Sequence, residues 1–221
     1  RQAVAEALAQ AKRAGLAWEG FLAWSAKLAS PSSLSSAAIL DMTATDQCRA
    51  LANGTITSEY LVRLYIARSI LVNERLNCVT EQRYEAAVAE AQKCDAERRA
   101  TGDLRGPLHG LPVSIKEQVG QAGFDSTCGA CCRLERPCAE DATLVSSLVA
   151  AGAIPFCRTN VPQLLMLPET FNAIYGNTSN PFDLSRTPGG SSGGEGALVA
   201  ACGSPLGLGT DVGGSIRIPA V

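Results

Sequence analysis

Two Gly-Gly-Ser turns lie in the last part of this 221-residue chain, the first ending at Ser191 and the second at Ser215. The first turn runs into small residues around Ala197 that predict a helix, and residues 206–210 have the pattern of a strand. Because ordered elements flank both turns so closely, the region is not a flexible linker. The helix start after the first turn presents free backbone N–H groups inside an ordered domain.

Three glycine motifs can be compared with this region. A phosphate-binding P-loop needs a Lys after its glycines, and none follows here; Val212 stands where a dinucleotide-binding motif needs its third Gly. Residues 190–194 do match the G-x-S-x-G nucleophile elbow, with Ser192 as its nucleophile. However, residues 180–186 before it do not have a strand pattern, and the elbow's His would have to lie beyond Val221.

A hydroxyl nucleophile needs a base, and two residues compete for that role. His109, the only histidine, lies in a Gly- and Pro-containing turn, where a structural role is the more ordinary one. Lys116 ends an apolar strand, where burial disfavours the ammonium and can lower its pKa into the range of a base. A lysine at a strand end is also often a simple surface charge with a buried stem. The residue pattern alone leaves the choice open.

The rest of the chain alternates helices and strands. Residues 60–72 and 81–99 have helical periodicity, with Thr57 as the N-cap of the first helix, so two helices are expected before any strand. Residues 111–116 predict a buried strand. Residues 141–152 then predict a helix that directs Leu144, Val145, Leu148 and Val149 inward, and residues 153–157 a second strand. This order indicates an α/β sheet.

The first 36 residues differ from those that follow. Residues 2–28 are Ala-rich and contain both tryptophans, which predicts one or two amphipathic helices, and residues 30–36 have the composition of a linker. A lipid-interface or partner helix is one interpretation, and a helix packed on the domain is the favoured one. We therefore divide the chain into residues 1–36, a helical segment and linker, and residues 37–221, one domain. The first residue is not Met and the chain ends on an apolar run, so we expect a fragment.

Charge and cysteine content exclude several classes of function. The net charge is −2 and the pI about 5.5, so the chain offers no field for a nucleic acid. No run of 18 apolar residues predicts a spanning helix, although an anchor outside these residues stays open. Nine cysteines, an odd number, fit reduced thiols of an intracellular protein. Cys128 and Cys131 form one C-x-x-C pair without a second, so we expect no metal.

A longer comparison of motifs points to one family. Residues 189–220, with Gly-Gly-Ser-Ser-Gly-Gly-Glu-Gly followed by Gly-Thr-Asp-Val-Gly-Gly-Ser-Ile-Arg, resemble the signature of the amidase signature family. Residues 106–117 resemble the segment that carries that family's lysine, and the resemblance covers about residues 46–221. The Gly-Gly-Glu sequence is closer to fatty acid amide hydrolases than to transamidosome A subunits, which usually have Ser-Ala-Ala there. The implied fold is the N-terminal part of an α/β domain, a mixed central sheet covered by helices.

The resemblance also implies a set of site residues. In this family the residue at Ser215 is the acyl nucleophile, Ser191 the bridging serine after a cis peptide, and Lys116 the base. Backbone N–H groups of the second turn would surround the oxyanion, namely those of Val212, Gly213, Gly214 and Ser215. Leu165, in an apolar segment, would touch the substrate. Ser192 and Arg217 would support the loop geometry, and Asp211 would have a buried hydrogen-bonding role. Strand alternation would direct Glu117 away from Lys116.

The activity implied is hydrolysis of a carboxamide, specifically a fatty acid amide, through a Ser-Ser-Lys triad and an acyl-enzyme, without metal or cofactor. The partner is a small-molecule amide, and no nucleic acid. A homodimer, a cytoplasmic or membrane-associated location, and a membrane contact through segments outside these residues are further expectations. Two alternatives stay open: a glutaminase-type amidotransferase A subunit, and a non-catalytic fragment. These 221 residues alone are expected to be inactive.

Overall fold

The computed structural model describes residues 34–221, which form a mixed α/β structure. The expected helices in residues 2–28 therefore lie outside the described residues. The helices are α1 (Ser36–Leu40), α2 (Ala44–Asn53), α3 (Ser58–Leu76), α4 (Tyr84–Thr101), α5 (Thr143–Ala150) and α6 (Gly193–Ala200). The strands are β1 (Val79–Gln82), β2 (Pro112–Lys116), β3 (Ile154–Thr159), β4 (Phe171–Asn172), β5 (Gly176–Asn177) and β6 (Gly207–Leu208).

The main sheet has the strand order β1-β3-β2-β6 and is mixed, as predicted. Strand β2 runs parallel to both β3 and β6, whereas β1 is antiparallel to β3. Every residue of β2 and β3 is buried, which explains their nearly continuous apolar sequence. Lys116 pairs with Thr159, so both residues lie at the carboxyl edge of the sheet. Strands β4 and β5 form a separate hairpin.

The long helix α3 begins where the sequence predicts. The Thr57 side chain accepts a hydrogen bond from the Tyr60 backbone N–H at 3.2 Å, which is the expected N-cap. The carboxylate of Asp95, on α4, accepts two more from the N–H groups of Ser58 and Glu59 at 2.8 and 2.9 Å. This end of α3 is thus held by its own cap and by α4. The core between helices and sheet includes Ile39, Leu51, Leu61, Leu64, Ile115, Phe156 and Leu198.

The order of the first elements corrects one expectation. Strand β1 lies between α3 and α4, so the prediction of two helices before any strand is wrong, and the second predicted helix begins at Tyr84 rather than Glu81. Residues 79–82 are mostly polar, and they are extended because they pair with β3, 75 or more residues later in the chain. No local sequence pattern predicts such a pairing. Helices α1 and α2 were not predicted either.

Helix α5 buries a narrower face than expected. Val145 is fully buried and Leu148 packs against the core, but Leu144 and Val149 are 55% and 44% exposed. The prediction that all four point inward is wrong at these two positions. A helix of two turns that packs on one side of β3 buries only the stripe made by positions three apart.

Three further findings concern the described residues as a whole. None of the helices between residues 34 and 221 is long and apolar enough to cross a membrane. All nine cysteines lie in this range and their thiols are free. In the same range no three His, Cys, Asp or Glu side chains are grouped so that they could hold a metal ion.

Candidate active site

Lys116 ends β2 with its side chain wholly buried. Its Nζ lies 2.8 Å from Ser191 Oγ, 2.9 Å from Thr210 Oγ1 and 3.4 Å from the Thr210 carbonyl oxygen. Burial lowers the pKa of Lys116 to about 8, against an opposing attraction from Glu195 and Asp211. A buried amine with this pKa is in part neutral near pH 7 and can act as a base.

Ser191 lies in the tight loop that enters α6, and the peptide bond that precedes it is cis, as the resemblance implies. The serine is buried, and Lys116 is its hydrogen-bond partner. Gly190 packs against the backbone of residues 167–169, where a side chain would collide with the Glu169 carbonyl. Glycine at position 190 is therefore required for the close approach that seats Ser191.

Ser215 is connected to the loop of Ser191 by a backbone hydrogen bond. Its carbonyl oxygen accepts a hydrogen bond from the Ser192 N–H at 3.0 Å, so the second Gly-Gly-Ser turn is joined to the first. The Ser192 hydroxyl donates to the Thr210 carbonyl at 3.2 Å and has the supporting role expected for it. Within residues 34–221 no hydrogen bond joins the hydroxyls of Ser191 and Ser215. The structure thus joins Lys116 to Ser191 directly and Ser215 to the same loop by backbone.

Asp211 organises the second turn. Its carboxylate accepts from both Nε and Nη2 of Arg217, at 3.0 and 2.9 Å, and from the backbone N–H groups of Gly214, Ile216 and Arg217. The Arg217 guanidinium, followed by these N–H groups, holds the pKa of Asp211 well below its usual range. Asp211 thus makes the hydrogen bonds expected of it, but it is partly rather than fully buried, because the second turn lies at the surface.

The hydrogen bonds of Asp211 limit which backbone N–H groups of the second turn could bind an oxyanion. The Gly214 N–H donates to Asp211 at 2.7 Å, so it is engaged within the loop rather than directed outward. Within the described residues the N–H groups of Val212, Gly213 and Ser215 make no hydrogen bond in the protein. Val212 and Gly213 are exposed and Ser215 is partly exposed, so these three N–H groups are free to donate to another acceptor.

Glu117 and His109 make their hydrogen bonds away from Lys116. Glu117 accepts from the backbone N–H groups of Thr127 and Cys128, at 2.6 and 3.0 Å, so its carboxylate points away from Lys116 as strand alternation predicts. His109 is buried before the start of β2, where its Nδ1 accepts from the Arg105 N–H at 3.1 Å. Burial lowers the pKa of His109. These contacts favour Lys116 as the base.

Three residues around Lys116 were not found from the sequence. Glu195 is buried on α6 and accepts hydrogen bonds from Ser114 at 2.6 Å and Thr159 at 2.9 Å. Burial raises the pKa of Glu195 to about 7. The Thr210 hydroxyl donates to Gln118 Oε1 at 2.8 Å. A single carboxylate in an otherwise small and apolar helix was the available signal for Glu195; the contacts of Thr210 and Gln118 had none.

Exposed apolar side chains occur in the segment before β4 and in the second Gly-Gly-Ser turn, and we call this set the apolar patch. Leu167 and Glu169 approach Gly190 through their backbone, and the Ile218 side chain lies beside Gly189. The patch consists of Leu164, Met166, Leu167, Val212, Ile216 and Ile218. Met166 is 81% exposed. Leu165, expected to touch substrate, is partly buried in the same segment.

The two serine loops, the strand of Lys116 and the helices between them lie within residues 60–221, the range that matches the amidase family. The chain belongs to this family. Among its relatives, an amidase of Gibberella moniliformis, named amidase 1, is 46% identical over 164 residues. Fatty acid amide hydrolase 1 of Caenorhabditis elegans is 43% identical over 169 residues.

Solved structures agree with this assignment. A fatty acid amide hydrolase superposes with a TM-score of 0.82 at 35% identity and covers 89% of this chain. The amidase fold predicted from the signature is therefore confirmed. The two sequence matches include 74% and 76% of this chain but only 32% and 29% of those relatives, and the structural match includes 34% of the solved hydrolase. The chain thus spans about a third of the length of the proteins it matches.

Proposed function

We propose that the complete protein containing these residues hydrolyses a carboxamide through an acyl-enzyme on Ser215. The observation that carries this proposal is the 2.8 Å hydrogen bond between the buried amine of Lys116 and Ser191 Oγ. A lysine with a pKa of about 8 can remove a proton from a hydroxyl, which an ordinary surface lysine cannot do efficiently. The hydrogen bond from the Ser192 N–H to the Ser215 carbonyl supports the inclusion of Ser215 in the same site.

The proposed reaction passes a proton along the three side chains. Neutral Lys116 takes the proton of Ser191, Ser191 takes that of Ser215, and the Ser215 oxygen attacks the amide carbon. The oxyanion accepts hydrogen bonds from the free backbone N–H groups of the second turn. As the carbon–nitrogen bond breaks, the proton returns through Ser191 to the departing amine. Water then cleaves the ester on Ser215.

We further propose a fatty acid amide as the substrate. The apolar patch next to Ser191 supports this, because an acyl chain would cover apolar side chains that water now contacts. The fatty acid amide hydrolases among the similar proteins support it as well. A short acyl group such as acetyl would leave most of the patch uncovered.

Labelling of the nucleophile tests the mechanism. A fluorophosphonate should label the complete protein on Ser215, and Ser215→Ala should abolish the label while the exposed Ser146→Ala keeps it. Ser191→Ala should reduce turnover less than Ser215→Ala, since water can replace a relay but not the acyl carrier. An adduct on Ser192 would show the nucleophile-elbow arrangement instead.

The substrate class is tested by comparing three amides. We expect kcat/KM for a long-chain fatty acid amide to exceed that for acetamide at least tenfold, with glutamine inert. Ammonia release from glutamine would identify the amidotransferase alternative. A complete protein that turns over none of the three and takes no label would be the non-catalytic case.

A further inference from the structure

Thr210 offers two oxygen atoms to the amine of Lys116. Its carbonyl lies 3.4 Å and its hydroxyl 2.9 Å from Nζ, while Ser191 Oγ lies 2.8 Å away on the third side. A neutral amine has two N–H donors and one lone pair. Which of these three directions receives the lone pair decides whether Lys116 can accept a proton from Ser191.

The contacts of Thr210 settle the direction of the lone pair. A carbonyl oxygen can only accept, so one N–H of the amine points to it. The Thr210 hydroxyl donates its single proton to Gln118 Oε1 at 2.8 Å, and toward Lys116 it can therefore only accept. Both N–H groups are then used on Thr210, and the lone pair faces the hydroxyl of Ser191.

The geometry points to Gln118 as a positioning residue for amide hydrolysis: by taking the hydroxyl proton of Thr210, it makes the Lys116 amine present its lone pair to Ser191. Gln118 follows β2 directly and is partly buried, two residues after the lysine that it serves. It acts through Thr210. This inference rests on the proposed function, because orientation of a neutral amine matters only if Lys116 is the base.

Removal of the acceptor gives the first expected result. In Gln118→Leu the Thr210 hydroxyl is free to donate to the lysine lone pair and competes there with Ser191. We expect kcat in the complete protein to fall about tenfold at every pH, with KM within twofold of the wild type, since a general base contributes roughly 10²–10⁴ in rate and is here only misdirected. Gln121→Leu is the matched control, because Gln121 is buried three residues away and its amide contacts neither Lys116 nor Thr210 in the described structure; its kcat should be unchanged.

A carboxylate at position 118 distinguishes an effect on the orientation of the Lys116 amine from a general disturbance of the site. The carboxylate introduced by Gln118→Glu can still accept the hydroxyl proton of Thr210, so the plateau of kcat at high pH should return to within twofold of the wild type. Its negative charge joins the groups that already act on the amine: Glu195 from α6, Asp211 from the loop after β6, and Cys128 from the loop after β2. The acid limb of the rate profile should therefore move to higher pH. A plateau as low as that of Gln118→Leu would overturn the inference.

A double-mutant cycle tests the route through Thr210. In Thr210→Val the hydroxyl is absent, so adding Gln118→Leu should cause no further loss of kcat. An additional tenfold loss in that background would show that Gln118 acts by another path. If Lys116→Ala retains wild-type kcat, the proposed function itself fails; if Lys116→Ala is inactive while Gln118→Leu has wild-type kcat, only the role of Gln118 fails.

Discussion

Lys116 is the residue on which the chemistry depends, and its surroundings give its activity a direction with pH. Burial stabilises the neutral amine, which lowers the pKa to about 8 from an unfolded value of 10.5. Since the neutral form is the base, kcat of the complete protein should rise with pH through a limb near pH 8. Lys116→Ala should remove that limb and lower kcat by roughly 10²–10⁴. A wild-type pH profile of kcat in Lys116→Ala would indicate that His109, rather than Lys116, is the base.

The carboxylate of Glu195 shifts the position of this limb. Its negative charge raises the pKa of Lys116, in opposition to burial. Glu195→Gln keeps acceptor and donor atoms for Ser114 and Thr159 but removes the charge, so the lysine should become neutral at lower pH. The acid limb of kcat should move to lower pH by a few tenths of a unit or more. The exposed Glu140→Gln is the control, and a limb that moves to higher pH would contradict this electrostatic account.

At the scale of residues, the sequence predicted those whose place is local to a motif. Lys116 was one of two candidate bases because it ends an apolar strand, and the resemblance to the amidase signature family then implied the roles of Lys116 and Ser191. The contact of Thr210 with Lys116 and Gln118 joins parts of the chain more than 90 residues apart. Such hydrogen bonds depend on how strands are placed side by side, which no motif records.

At the scale of elements, the link between α3 and α4 is the feature with the clearest energetic consequence. The buried Asp95 carboxylate accepts two N–H groups at the start of α3, where free donors and the helix dipole favour an anion. Asp95→Ala should lower the free energy of unfolding by about 2 to 3 kcal/mol, because it leaves two donors without a partner. Thr57→Ala removes one cap and should cost about 1 kcal/mol.

Urea unfolding of the complete protein measures both effects, with the exposed Asp103→Ala as control. A smaller loss for Asp95→Ala than for Thr57→Ala would show that water replaces the carboxylate at these N–H groups.

Elements were predictable to the extent that their periodicity is local. Helix α3 and strands β2 and β3 appear in the sequence as clear apolar patterns, and each is observed within a few residues of its predicted bounds. Strand β1 was missed because its polar residues become extended only through pairing with β3. The exposure of the Leu144 and Val149 side chains depends on which side of α5 packs on the sheet, and helical spacing alone does not specify that side.

At the scale of the whole molecule, the apolar patch should govern how these 221 residues behave on their own. Its members lie on two segments that meet at Gly189 and Gly190, and exposed apolar surface of this kind promotes association. We expect residues 1–221, expressed alone, to bind a hydrophobic dye, to sediment as oligomers, and to hydrolyse no amide. Met166→Lys combined with Ile218→Lys should reduce both dye binding and association, because two charges interrupt the patch. Leu144→Lys, on α5 and outside the patch, should change neither; a monomer with one cooperative thermal transition and full turnover would contradict the prediction.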